Sequence, residues 1–246
     1  MERQYKVLVG LATLLMTAVL LLDRQGLVPQ LLLGIATGAF VWLFCRRLGI
    51  ATAQVVCCVI VATTGEIVLS IGWGLYSYAH ALIPLYVPPG HGLFYSLALA
   101  SSRQPLLQRH AGAITRWVLV AGSVLALVSL VAFHDTWGML WWIGAAALIL
   151  TSRSQLMLSA CFAFTLLLEW AGTANGNWFW APDVPLLPLT SANPPAGVAI
   201  LYILLDLIVV AITTRLFSTA GEPVPPPVPN ALDHADSQPA LVQANG

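Results

Sequence analysis

The chain has 246 residues, 59% of them hydrophobic and 8% charged, with a formal net charge of zero; an ordinary soluble domain carries roughly 25% charged residues. Several apolar runs reach the ~20 residues needed to cross a bilayer, which excludes a soluble domain and reads as an integral membrane protein. With no basic patch and no recognition motif, nucleic acid is not an expected partner.

Eight apolar segments follow one another, at 6–22, 27–45, 50–72, 88–102, 116–133, 137–151, 155–171 and 196–216. The first has a short basic start but no small-residue cleavage site after it, so it reads as a retained helix rather than a signal peptide. Arg3 and Lys6 mark the start of the first segment, and arginines mark every second connection: Arg46 and Arg47 after the second, Arg103, Arg109 and Arg116 between the fourth and fifth, Arg153 after the sixth, and Arg215 at the end of the eighth. The other connections hold no Lys or Arg apart from Arg24 beside Asp23. The positive-inside rule then predicts a multi-pass protein of the plasma or inner membrane with both termini cytoplasmic. The four cysteines lie in or beside apolar runs without C-x-x-C spacing, and read as buried small apolar residues. Residues 218–246, rich in Pro and polar side chains, read as a disordered cytoplasmic tail.

An internal repeat organises the rest. Residues 66–92, EIVLSIGWGLYSYAHALIPLYVPPGHG, align with residues 169–197, EWAGTANGNWFWAPDVPLLPLTSANPPAG. Each begins with a glutamate near the end of an apolar segment, passes through Gly and paired aromatics, and reaches a Pro-Pro pair before the next segment. The offset is nearly constant: 103 residues between Glu66 and Glu169, and 106 between Pro88 and Pro194 and between Arg47 and Arg153. The expected fold is therefore an all-α membrane protein of about eight transmembrane helices. It divides into two parallel four-helix repeats, residues 1–110 and 111–217, before the tail. Parallel repeats put both aromatic loops on one side of the membrane.

Of ten acidic residues, only Glu66, Glu169 and Asp206 fall within apolar segments. An acid at that depth costs roughly 2.5–3.5 kcal/mol on insertion scales and faces the bundle interior, where it marks function by default. No Lys or Arg accompanies these three. A desolvated carboxyl without a cation beside it serves as a Brønsted acid, and a C=C bond is a base that already lives in the membrane. Protonating it makes a carbocation, which aromatic faces stabilise. Trp73, Tyr76, Tyr78, Trp178, Phe179 and Trp180 are the candidate walls, with His91 and Asp183 as further substrate-binding groups. The prolines of both loops exclude regular helix there and suit lids folded over a cavity. The repeats differ: His91 stands where the second has Ala196 and Gly197, and Asp206 where the first has Ala100. His80, His91 and Asp183 lack metal-ligand spacing, so neither a metal nor a cofactor is expected.

A segment ending in Glu, followed by Gly, paired aromatics, a Pro-containing loop and another segment, resembles the membrane-embedded carotenoid-pathway proteins, namely the small helical lycopene cyclases and the related carotenoid hydratases. The resemblance covers residues 66–92 and more weakly 169–197. It implies that Glu66 and Glu169 occupy the positions that protonate the polyene, and that Tyr76 and Tyr78 match the aromatic pair. The chain departs from the cyclases in lacking paired adjacent acids, since Ile67 and Trp170 follow the two glutamates. The expected function is acid-initiated cyclisation or hydration of a lipid-soluble isoprenoid, with Glu66 as donor and Glu169 or Asp206 as base. Its partners would be membrane lipid and that small molecule. The alternatives are a proton- or cation-coupled transporter or lipid carrier using the same carboxylates, and a non-catalytic subunit in which they are structural.

Overall fold

The computed structural model describes residues 2–23, 26–80 and 82–219; the expected tail lies almost entirely outside them. The described chain is mostly helical: α1 (Glu2–Leu22), α2 (Leu27–Leu48), α3 (Thr52–Glu66), α4 (Val87–Ser102), α5 (Pro105–Arg109), α6 (Ala111–Phe133), α7 (Thr136–Thr151), α8 (Gln155–Ala174) and α9 (Ile200–Thr219). Each of the eight apolar segments coincides with a helix. Five of these helices, α1, α2, α3 with its extension, α6 and α8, are long and apolar enough to cross a membrane. The chain is a membrane protein.

Local chemistry sets the ends. Gly49 closes α2 at φ 64°, the left-handed conformation that favours glycine. Pro88 and Pro89 sit in the first turn of α4, where the missing N–H costs no helical bond. α9 starts at Ile200 rather than 196, because residues 196–199 turn behind the Pro194–Pro195 pair.

Burial is inverted relative to a soluble protein. Large apolar side chains cover the outside, with Trp117 73% and Val131 78% exposed on α6, as a lipid-facing surface requires. Small hydroxyl side chains such as Thr37, Ser96, Ser159 and Thr165 are fully buried; Thr37 and Ser96 return a hydrogen bond to their own helix, at Leu33 and Gly92, and Ser159 donates to Thr115 of α6. α4 is the central helix, buried from Gly90 to Ser102; it packs on α2, α3 and α8, while α9 packs on α3, α7 and α8.

The all-α expectation needs one correction. Two three-residue strands, β1 (Tyr76–Tyr78) and β2 (Trp178–Trp180), pair antiparallel, with Tyr76 opposite Trp180, Ser77 opposite Phe179 and Tyr78 opposite Trp178. Bonds from Ala79 N to Asn177 O and from Ala181 N to Leu75 O extend the ladder by one pair at each end. The paired aromatics of the two loops are thus strands, and alternation sends four rings inward while Ser77 and Phe179 face out.

Candidate functional site

Each strand hangs its two inward rings over the glutamate that precedes it. Tyr76 and Tyr78 both donate their hydroxyls to Glu66 Oε2, at 2.9 and 2.7 Å. Trp178 and Trp180 both donate their indole N–H groups to Glu169 Oε2, at 2.9 and 3.1 Å. Period two makes this possible, because residues i and i+2 of a strand point to one face.

The spacing from glutamate to strand differs by one residue. A left-handed glycine precedes each strand, Gly74 at φ 76° and Gly176 at φ 75°, eight residues after Glu66 and seven after Glu169. α8 stays regular through this stretch. After α3 the chain runs instead as a π-helix, Ile67–Gly72, closed by Trp73 N bonding Val68 O at 2.8 Å. A π turn holds one more residue than an α turn, so it absorbs the extra residue and presents the two carboxylates to the ladder in the same way.

Glu66 and Glu169 line one cavity of about 180 Å³, together with Tyr76, Tyr78, Trp178 and Trp180. Both glutamates are buried, 7% and 4% exposed. Across the ladder Tyr76 packs on Trp180 at 4.6 Å between ring centres and Tyr78 on Trp178 at 6.2 Å. The rest of the lining is chiefly aliphatic, from α1, α3, α4, α8 and α9.

The two halves are not chemically equal. No Lys or Arg stands beside Glu66 among the described residues, but His91 Nε2 lies 2.9 Å from its Oε1, so both oxygens are engaged. His91 stacks on Tyr202 at 4.7 Å, and its Nδ1 is buried without a partner among the described residues. At the matching place in the other half a histidine cannot fit. A Cβ on Gly197 would come within 2.1 Å of Trp142 N. Glu169 Oε1 makes no hydrogen bond among the described residues, and this residue faces the cavity with one oxygen uncommitted.

Four expected residues lie elsewhere; Phe179 points away from the cavity and is 48% exposed. Trp73 donates its indole N–H to Pro185 O at 2.8 Å and packs edge-on against Trp137, bracing the loop instead of walling the cavity. Asp183 is exposed and bridges to Thr190 in the second loop. Asp206 is buried one helical turn beyond Tyr202, next to the Cys161 thiol, and does not line the cavity. Pro88 and Pro89 belong to α4 and not to a lid, and an isolated bridge and hydrogen-bonded turns fix the second loop on itself.

Sequence reasoning missed two acids that hold this arrangement. Asp135 is fully buried and caps α7 by accepting from Gly138 N. It also accepts from Ser129 Oγ, Ala192 N and Ala196 N, tying the start of α7 to the chain before α9. Asp23, after α1, accepts from Tyr86 Oη at 2.9 Å and Asn177 Nδ2 at 3.1 Å, tying α1 to both loops. An Asp followed by the first turn of an apolar helix is a recognisable N-cap signal, so Asp135 was findable. Asp23 and Tyr202 carry no comparable local mark.

Set against known protein families, curated proteins and solved structures, the chain matches none. The chemistry of the cavity is therefore the ground for a functional reading.

Proposed function

We propose that the protein is a membrane enzyme that performs proton-initiated chemistry on one end of a lipid-soluble isoprenoid or polyene. The observation that carries this reading is the meeting of Glu66 and Glu169 in one apolar, aromatic-walled cavity. Their surroundings divide the roles, in the reverse of the sequence expectation. Glu169 is the donor: its free Oε1 carries the proton, and the two indole N–H groups on Oε2 receive the carboxylate left behind. Glu66 with His91 is the acceptor.

The proton of Glu169 adds to a terminal C=C, whose π electrons form the new C–H bond and leave a cation on the more substituted carbon. In cyclisation a second C=C attacks that cation, forming a ring C–C bond and moving the charge. The Glu66–His91 pair then removes a neighbouring proton, and a new C=C results. In hydration a water oxygen adds instead, and the pair takes the proton that water loses. Return of that proton to Glu169 completes the cycle. Tyr76, Tyr78, Trp178 and Trp180 supply the electron-rich faces such a cation needs.

The same reading sets eight helices across the membrane as two parallel repeats, with both termini cytoplasmic and the β1–β2 ladder at the outer side. The alternation of the basic residues supports it, as does the shared plan of glutamate, left-handed glycine, strand and a Pro-Pro pair leading to the next helix. The test is to supply acyclic polyenes to membranes holding the protein, its Glu169→Gln variant or its Glu66→Gln variant, and to search for isomers and hydrates by mass spectrometry. Product in the wild type, lost in both variants, is the expected result. Equal product in Glu169→Gln removes that residue as the acid.

A further inference from the structure

The cavity is small and it is not closed. An apolar cavity of about 150 Å³ holds one benzene, so about 180 Å³ accommodates one ring-sized hydrocarbon end, and the remainder of a long molecule must lie outside. The lining shows where. From the glutamates it continues along facing residues of α3 and α9, Val61 and Gly65 on one side and Leu201, Leu204 and Ile208 on the other. Leu204 is 41% and Ile208 46% exposed, so the lining reaches the outer surface of α9. Leu201 to Ile208 spans about 10 Å of helix, and beyond Tyr202 at its inner end the α9 side chains that line it, Leu204, Leu205 and Ile208, are all aliphatic.

Gly65 opens this seam. A Cβ built on it meets no atom within 4 Å, whereas the residue before the other glutamate is Leu168, a cavity-lining side chain. The corresponding seam in the other half, between α8 and α4, is filled: α4 is buried along its length there. One end of the pseudo-symmetric cavity is thus shut and the other leads sideways.

Resting on the acid–base reading above, the geometry points to a portal between α3 and α9 that admits the hydrocarbon end of a long, headgroup-free isoprenoid from the lipid. The end lodges between the glutamates and the tail remains in the seam. A phospholipid headgroup does not fit, because it exceeds a cavity of about 180 Å³ and the seam leading there is lined by aliphatic side chains.

The test measures retention of radiolabelled squalene, an acyclic isoprenoid hydrocarbon, by protein in phospholipid nanodiscs. Four forms are compared: the wild type, Gly65→Phe, Leu204→Trp on the opposite wall, and Val131→Phe on the lipid face of α6. Squalene held by the wild type and by Val131→Phe, and weakened at least tenfold in both seam variants, is the expected result. No retention by the wild type, or full retention in Gly65→Phe and Leu204→Trp, overturns the portal. Binding that needs the seam while no polyene is converted would overturn the acid–base reading and leave the portal standing. Polyene conversion unaffected by seam blockage would do the reverse.

Discussion

Gly172 on α8 separates positioning from stability. Its missing Cβ is the space that Trp178 occupies: an ideal Cβ there would sit 2.0 Å from the ring atom Cη2 and 2.1 Å from Cζ2. In Gly172→Ala the indole must retreat by about 1.5 Å to reach ordinary carbon–carbon contact. Its hydrogen bond to Glu169, 2.9 Å long, then exceeds bonding distance. An unsatisfied buried N–H costs about 1–3 kcal/mol, offset by the ~0.8–1 kcal/mol that Ala contributes in a helix. Displacing the ring adds an overpacking cost of about 1–3 kcal/mol, so net stability should fall by about 1–5 kcal/mol. The rate of the folded protein should fall as well, because a donor bonds a carboxylate more strongly, about 1.5–3 kcal/mol, than a neutral acid, about 1 kcal/mol. That difference of about 0.5–2 kcal/mol is realised only once Glu169 has given up its proton, so turnover should drop about 2- to 30-fold. The assays are thermal unfolding and polyene conversion in the same nanodiscs, with Gly122→Ala as comparison. There a Cβ would meet the Trp142 ring at 2.3 Å, away from the cavity, so stability should suffer and turnover of the folded fraction should not. Wild-type turnover in Gly172→Ala, or an equal slowing in Gly122→Ala, would refute the assignment of Trp178.

Gly197→Ala should abolish accumulation of monodisperse protein in detergent, because its Cβ would strike backbone atoms, Trp142 N at 2.1 Å and Trp141 C at 2.5 Å, which cannot turn aside as a side chain can. Ser77→Cys with Phe179→Cys should form a disulfide under mild oxidation, detectable by peptide mass mapping, since directly opposed antiparallel residues lie within the Cα range a disulfide spans. Tyr78→Phe removes one of two hydroxyls on Glu66 Oε2. In a double-mutant cycle with Tyr76→Phe, the two losses of stability should deviate from additivity by 0.5 kcal/mol or more, as groups sharing one acceptor do.

Much of this was legible in the residues. Hydropathy located every long helix, because in lipid an apolar run has almost no other way to satisfy its backbone. The paired glutamates were legible because burial of an acid in an apolar segment is costly and repetition marks it. The strands were hidden: three residues, Tyr76–Tyr78 or Trp178–Trp180, are too few for a period-two signal, and each exists only by pairing with a segment a hundred residues away. Asp206 misled for a related reason. Its depth in the chain matched a functional acid, but the direction of its side chain depends on the rotation of α9, which a flat hydropathy pattern does not specify. The π turn after Glu66 was legible only as a one-residue mismatch between the repeats.

Deuterium transfer tests the central claim most directly. Membranes containing the protein, supplied with an acyclic polyene such as lycopene in D2O, should yield product carrying non-exchangeable deuterium on carbon at the new saturated position, and Glu169→Gln should yield none. Proton flux across vesicles with no carbon-bound deuterium in any polyene would contradict the account and make the two carboxylates a transport pathway instead.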